Sequence, residues 1–390
     1  MSNIYDLIKK SCPNGVELKK LKDLCKIETG KLNANEAVGD GKYNFFTTAK
    51  EISKINKYRW DAEALLIAGN ANVGDVKYYN GKFEAYQRTY VLTEFLSTVD
   101  VKYLYHVLSN DLKQYLDSNK NEAAMTYIVL KTLEEFEIAI PPLDIQREIV
   151  KILDKFGELE AELEAELEAR KSQYEFWRDK IFKFENRSDV KWLKLKDIKT
   201  EIYRGNGIKR DQVTDDGIPC VRYGEIYTTY DIWFNDCKSH TFKDVVSNPK
   251  TFTNNDLLFA ITGESVEEIS KTIAYTGNDV CYAGGDIVVM KHNQNGKYLS
   301  YALSTKDAVF QKGKGKVKSK VVHSSVPSIE EIIVPIVSLE EQDEIVKKLD
   351  HFYNIINDIS CGLPAEIELR RKQYEYYRNK LLSFEEYANE

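Results

Sequence analysis

The chain has 390 residues and a formal net charge of −7, and it is 43% hydrophobic and 30% charged, a folded globular balance too long for one hydrophobic core. No apolar run approaches the ~20 residues that cross a bilayer, and the first residues, MSNIYDLIKKSC, lack the apolar core and cleavage site of a signal peptide, so the expectation is a cytoplasmic protein with no membrane partner. The six cysteines (Cys12, Cys25, Cys220, Cys237, Cys281, Cys361) show no C-x-x-C and no partnered histidine spacing, which argues against a zinc site or a disulfide framework.

In chain order, VELKKLKDL (16–24) reads as a short opening strand. KYNFFTTAKEI (42–52) and ALLIAGNANVGDVKYYNGKFEAYQRTYVLT (64–93) read as strands around a Gly/Asn loop, and VKYLYHVLSNDLKQYL (101–116) as a helix. From Gln146, QREIVKILDKF opens a run in which Ile149, Phe156, Leu163, Tyr174, Trp177 and Ile181 lie on a seam that advances by threes and fours, with charges between. About 40 residues at ~1.5 Å each make a rod of roughly 60 Å.

The second half repeats the order. VKWLKLKDI (190–198) reads as another opening strand, followed by the strand-rich GIPCVRYGEIYTTYDIWF (217–234), DLLFAITGES (256–265) and KTIAYTGNDVCYAGGDIVVMK (271–291). A short helix near 298–303 and a buried strand in EIIVPIV (331–337) come next. QDEIVKKLDHF (342–352) then opens a second amphipathic run through Ile345, Phe352, Tyr374 and Tyr377, interrupted at CGLPAE (361–366), where Gly362 and Pro364 should break or kink the rod.

These halves are a duplication. QREIVKILDKF returns after 196 residues, QYEFWRDKIFKFE (173–185) returns after 200 as QYEYYRNKLLSFE, and the opening strand returns after 174. A period near 200 is far too long for a solenoid. The segments 25–135 and 199–330 show no evident similarity to each other. The expected fold is α+β: two globular mixed α/β domains separated by two long helices that pair antiparallel, with boundaries at 1–140, 141–186, 187–336 and 337–390. Residues of the repeated helices expected to pair them or to face partners are Gln146, Ile149, Phe156, Tyr174, Trp177, Arg178, Gln342, Ile345, Phe352, Tyr374, Tyr377 and Arg378.

Charge is unevenly placed. Residues 144–185 carry twelve acids and eight bases, residues 339–390 twelve acids and seven bases, and the remainder sums to about +2. The globular parts can therefore carry basic surfaces on an acidic chain.

Catalytic signatures are missing. No G-x-x-x-x-G-K-[ST], H-E-x-x-H, G-x-S-x-G or N-P-P-[YF] occurs, and the five histidines are scattered. What remains is a binding vocabulary. QKGKGKVKSK (311–320) sets Lys312, Lys314, Lys316, Lys318 and Lys320 at every second position between glycines, as phosphate contacts would require; a solvated loop is the alternative. Arg204, Asn206, Arg210 and Arg222 in the second domain, and Asn70, Asn72, Lys77, Gln87 and Arg88 in the first, are residue types that pair with base edges. Ordinary surface roles are the alternative for each.

IPPLDIQREIVKILDKF, IVSLEEQDEIVKKLDHF, the paired QYEFWRDKI and QYEYYRNKL, and GIPCVRYGEIYTTY together resemble the specificity subunits of type I restriction-modification systems, over almost the whole chain. The resemblance implies that each globular domain is a target recognition domain reading one half of a split double-stranded DNA site. It further implies that the helices set the spacing and dock two methyltransferase subunits with pseudo-two-fold symmetry, and that restriction subunits join the complex. S-adenosylmethionine, ATP and magnesium would belong to those partners, and this chain would be non-catalytic with no cofactor of its own. Val337 and Ser338 stand where the first helix has Pro141 and Pro142, which with the Gly-Pro interruption leaves the spacer undefined. A self-contained modification enzyme with an unrecognised motif, or a coiled-coil scaffold, are the competing readings.

Overall fold

The computed structural model describes residues 2–119, 127–314, 321–358 and 361–384. The chain divides into two compact units, Met1–Glu164 together with Glu366–Glu390, and Ala165–Ala365.

The first unit contains α1 (Ser2–Ser11), β1 (Leu18–Lys20), β2 (Lys26–Thr29), β3 (Tyr43–Phe46), β4 (Ser53–Ile55), β5 (Trp60–Ala68), β6 (Val76–Ala85), β7 (Thr89–Thr93), α2 (Val101–Ser118), α3 (Leu130–Glu134), β8 (Glu137–Ala139) and the first part of α4 (Leu143–Ile181). Six strands form one sheet in the order β2-β7-β5-β6-β3-β4, antiparallel except where β3 lies parallel to β6. The apolar end of β5 is buried on both faces, which is why it reads as a continuous run and not an alternation. Leu65 and Ile67 join the core under α2 with Leu104 and Leu108, while Ala64 and Leu66 face the opposite core with Phe46, Trp60 and Phe83. Asp100 caps α2, its carboxylate accepting the backbone N–H groups of Lys102 and Tyr103 at 3.0 and 3.2 Å.

The second unit contains the rest of α4, then β9 (Lys191–Lys194), α5 (Leu195–Ile198), β10 (Lys199–Arg204), β11 (Ile218–Val221), α6 (Tyr223–Thr228), β12 (Trp233–Phe234), β13 (Ser239–Thr241), β14 (Thr251–Phe252), β15 (Leu257–Ala260), β16 (Thr262–Gly263), β17 (Thr272–Tyr275), β18 (Cys281–Ala283), β19 (Ile287–His292), α7 (Gly296–Leu303), α8 (Lys306–Gly313), β20 (Val322–His323), α9 (Val326–Glu330), β21 (Ile333–Ile336) and α10 (Leu339–Asn357). Its main sheet runs β10-β19-β15-β17-β12, and a second runs β13-β11-β18-β14. The last helix, α11 (Leu363–Leu382), belongs to the first unit from Glu366 onward.

The two intervening segments, without evident similarity in sequence, share a topology. β2-β7-β5-β6 and β10-β19-β15-β17 follow the same order with the same antiparallel sense. Both opening strands pair antiparallel with the strand that precedes a frame helix, β1 with β8 and β9 with β21. Lys20 and Lys22 grip Glu135, and Lys194 and Lys196 grip Glu331 in the same way. A short repeat explains part of the likeness: Lys102-Tyr103-Leu104 with Leu108-Ser109, and Lys297-Tyr298-Leu299 with Leu303-Ser304. The tyrosine hydroxyls reach matching carbonyls, Tyr103 to Ala139 at 2.8 Å and Tyr298 to Pro335 at 2.9 Å.

α4 is one unbroken helix of 39 residues, whereas its repeat is split into α10 and α11. Pro364 sits in the first turn of α11, where its missing N–H leaves no bond unmade. Within the first unit α4 and α11 run antiparallel. Phe156 stacks on Tyr377 with centroids 5.6 Å apart and touches Tyr374 at 6.2 Å, while Arg371 pairs further along α4 with Glu160 and Glu164. Within the second unit Tyr174 of α4 meets Tyr353 of α10 edge-on at 6.4 Å.

Candidate nucleic-acid interface

The two units share one local construction at the end of their parallel strand pair. In the first, β3 lies beside the end of β6, and the chain then turns so that the Tyr86 N–H donates to the Phe46 carbonyl at 2.9 Å. Gly30 passes close above, its N–H donating to Thr89 at 3.3 Å; a Cβ there would sit 2.0 Å from the Ala85 carbonyl oxygen. In the second unit β11 lies parallel to β18, and the Gly284 N–H donates to the Val221 carbonyl at 2.8 Å. Gly205 passes above, donating to Ile287 at 2.7 Å, and a Cβ there would sit 2.2 Å from the Gly284 carbonyl oxygen. The close approach of two backbones requires glycine at both places.

Different side chains stand on this shared backbone. In the first unit Gln87 and Arg88 are exposed and, with Tyr127, line a cleft of about 300 Å³. The Arg88 guanidinium lies 5.9 Å from the Tyr127 ring centre, and the Gln87 amide donates to Asn33 at 3.1 Å. In the second unit a cleft of about 650 Å³ is lined by Arg210, Arg222 and Tyr223 over a floor that includes Gly207, Gly284 and Gly285. The Arg222 Nε is buried with no acceptor. Nearby Glu225 is already committed, accepting the Arg222 backbone N–H at 2.7 Å and the Ser239 hydroxyl.

Other expected base readers are braces. The Asn72 amide donates to the Thr48 carbonyl at 2.7 Å and the Lys77 ammonium to the Ala49 carbonyl at 2.6 Å, which together hold the loop after β3. The Asn70 side-chain oxygen is buried without a donor. Asn206 donates to the carbonyls of Ser247 and Asn248, and Arg204 is tied to Asp286 and to the Gly285 carbonyl at 2.6 Å. The lysine run is corrected more sharply. Lys312 is only 6% exposed in α8, its ammonium donating to the Thr272 hydroxyl at 2.9 Å, so it is not a phosphate contact. Helix continues to Gly313 because Thr305 caps it and Ala308 and Lys312 lie on one inward face, overriding the alternation read from the sequence. Lys314 is exposed; Lys316, Lys318 and Lys320 lie outside the described residues.

The sequence reading missed a cationic and aromatic patch beside β3. Tyr43 and Tyr58 contact edge-on at 4.9 Å, with the Lys82 ammonium 4.8 Å from the Tyr58 ring and Lys42 5.4 Å from Tyr43. The signal was a base beside an aromatic written twice, Lys42-Tyr43 and Lys57-Tyr58.

On the helices, Gln146, Ile149, Gln342 and Ile345 are buried as expected, and Arg178 and Arg378 lie against Tyr174 and Tyr374 at 5.7 and 5.3 Å. Trp177 and Phe352 are not in the packed seam, being 41% and 40% exposed. A helical period of 3.6 carries the buried face from Tyr174 to Arg178 and from Leu349 to Tyr353, leaving their predecessors turned about 100° away. Among the described residues no helix is long and apolar enough to cross a membrane.

Comparison with known proteins agrees with this duplicated plan. The family model described as the type I restriction modification DNA specificity domain matches twice, over residues 13–169 and 187–369. A Mycoplasma pneumoniae protein named as a type I specificity subunit is 28% identical over 378 residues, covering 94% of this chain and 97% of the relative. A Haemophilus influenzae protein named as a type I restriction enzyme specificity subunit is 29% identical over 345 residues, covering 85% of each. The fold is shared with the S subunit of a type I system from M. genitalium, at a TM-score of 0.53 and 16% identity over 94% of this chain and 96% of that one. It is shared also with a chain from a structure of type I complex assembly, at 0.66 and 12% identity over 95% and 98%. By its matched domains and its full-length relatives, the chain belongs to the type I restriction-modification DNA specificity family.

Proposed function

We propose that this chain is the non-catalytic, cytoplasmic DNA-recognition subunit of a type I restriction-modification complex. Each unit reads one half of a bipartite site, and the frame helices set the gap and dock two adenine-N6 methyltransferase subunits, through which restriction subunits join. S-adenosylmethionine, ATP and magnesium are held by those partners. The observation that carries the reading is the repetition of one backbone frame with different polar side chains at its end, Gln87 and Arg88 on the turn in one unit and Arg222 on the facing strand end in the other. Two domains with different readers on one chain multiply their discrimination.

The test is co-expression of the full chain with a cognate methyltransferase subunit, followed by mapping of N6-methyladenine across host DNA. A split motif with a fixed gap is expected. A continuous motif, or methylation by the chain without its partner, overturns the reading.

A further inference from the structure

We infer that base discrimination is concentrated at the end of the parallel strand pair in each unit, in Gln87 and Arg88 of the first and in Arg210 and Arg222 of the second. This rests on the DNA-recognition reading above and names the residues that set specificity within it.

The two backbones are equivalent in their hydrogen bonds and not in their sequences. Tyr86 donates to Phe46 as Gly284 donates to Val221, and Gly30 and Gly205 make the same close approach to the strand that precedes this turn. The alignment that follows sets Thr47 against Arg222, Gln87 against Gly285 and Arg88 against Asp286. A constant frame therefore presents an arginine from the turn in one unit and from the facing strand end in the other. A place where the scaffold is held and the side chain changes is suited to reading different bases with one docking mode.

Chemistry narrows the choice. Arg204, Asn206, Asn72 and Lys77 spend their donors on internal backbone carbonyls or carboxylates, whereas the Gln87 amide donates only to the exposed side chain of Asn33 among the described residues. Among the described residues Arg88, Arg210 and Arg222 have no carboxylate partner, and the Arg222 Nε is buried in its cleft without an acceptor, a state that a hydrogen-bonding ligand relieves. A guanidinium fork matches O6 and N7 of guanine, and a glutamine amide matches N6 and N7 of adenine. Gly207 leaves room for a duplex edge to come close, since a Cβ there would meet nothing within 4 Å, whereas one at Gly284 or Gly285 would turn against the Val221 or Gly207 backbone. The half-site read by the second unit accordingly contains a G·C pair contacted by Arg222.

The experiment uses the full chain in complex with its methyltransferase subunit, with N6-methyladenine mapped for wild type, Arg222→Ala, Arg210→Ala, Arg88→Ala and Lys77→Ala. Arg222→Ala should relax one G·C position in one half of the motif, with discrimination falling roughly ten- to hundredfold, and leave the other half and the gap unchanged. Arg88→Ala should alter only the opposite half, and Lys77→Ala neither. An unchanged motif in Arg222→Ala and Arg210→Ala, or equal weakening of both halves, overturns the inference while a split wild-type motif keeps the recognition reading standing. Should Arg222→Ala fail to assemble, Arg222→Lys keeps the charge without the fork and must relax the same position; an unaltered motif there overturns the inference. Failure of the wild-type complex to methylate a split motif overturns the underlying reading instead.

Discussion

The side-chain oxygen of Gln146 accepts the backbone N–H of Asp100 at 2.8 Å, tying the cap of α2 to the first turns of α4. The same carboxamide donates to the Thr98 and Pro141 carbonyls at 2.9 and 2.7 Å. Gln342 repeats the arrangement with the cap of α7, accepting from Asn295 at 2.9 Å and donating to Val337 at 2.9 Å and to the Gln294 side chain at 2.7 Å. Both glutamines are fully buried. Two turns on, Asp154 holds Lys102 and His106 at 2.7 and 3.0 Å, and Asp350 holds Lys297 and Tyr301. α2 and α7 are thus locked to the frame helices α4 and α10 by one polar latch used twice.

Gln146→Ala and Gln342→Ala should each destabilise their own unit by about 2–4 kcal/mol, since three bonds are lost and buried backbone groups are left unpaired. Denaturant unfolding checks this. Loss below about 0.5 kcal/mol for either would show that the latch is replaceable by water.

Lys312 and Lys314 should separate stability from DNA affinity. Burial pushes the Lys312 amine down to about 7 from 10.5. Between those values the unfolded chain binds a proton that the folded one refuses, so stability falls as pH drops from 10.5 to about 7 and is level below. Lys312→Met should raise stability at neutral pH by about 1–3 kcal/mol and remove that slope. It should leave the salt dependence of DNA binding unchanged, whereas Lys314→Ala should weaken binding to all sequences and flatten the log–log salt slope by about 0.9. Thermal melts across pH and titrations across salt read the two effects separately.

His292 gives the second unit an acid limit. Burial drives its imidazole down to about 4, against the pull of the Asp256 carboxylate, and its Nε2 has no partner. The unfolded chain gains a proton below about 6.5 that the folded state refuses, so stability is present above that pH and is lost towards 4, at about 1.4 kcal/mol per pH unit. His292→Gln should flatten unfolding free energy between pH 6.5 and 4 relative to wild type. An unchanged slope would place the acid sensitivity elsewhere.

The duplicated frame, the rod of α4, the break before α11 and both globular sheets were legible because they follow from periodicity, from proline chemistry and from literal repetition of residues. The likeness of the two sheets was hidden: little beyond the Lys-Tyr-Leu and Leu-Ser positions of α2 and α7 and the paired Gly30 and Gly205 survives as letters, and strand order is carried by hydrogen bonds that many sequences satisfy. The site was legible as a vocabulary and not as a geometry. Arg204 and Arg222 are equally suited to a guanine on paper, yet one is spent on Asp286 and the other lines an open cleft. Lys312 and Lys314 look interchangeable in QKGKGKVKSK, but one helical step turns the first into the core. Sequence by itself determined the repeated frame, since each helix carries its own pattern. Only the tertiary structure decided which polar groups remain free, because a donor's availability depends on acceptors brought to it from tens of residues away.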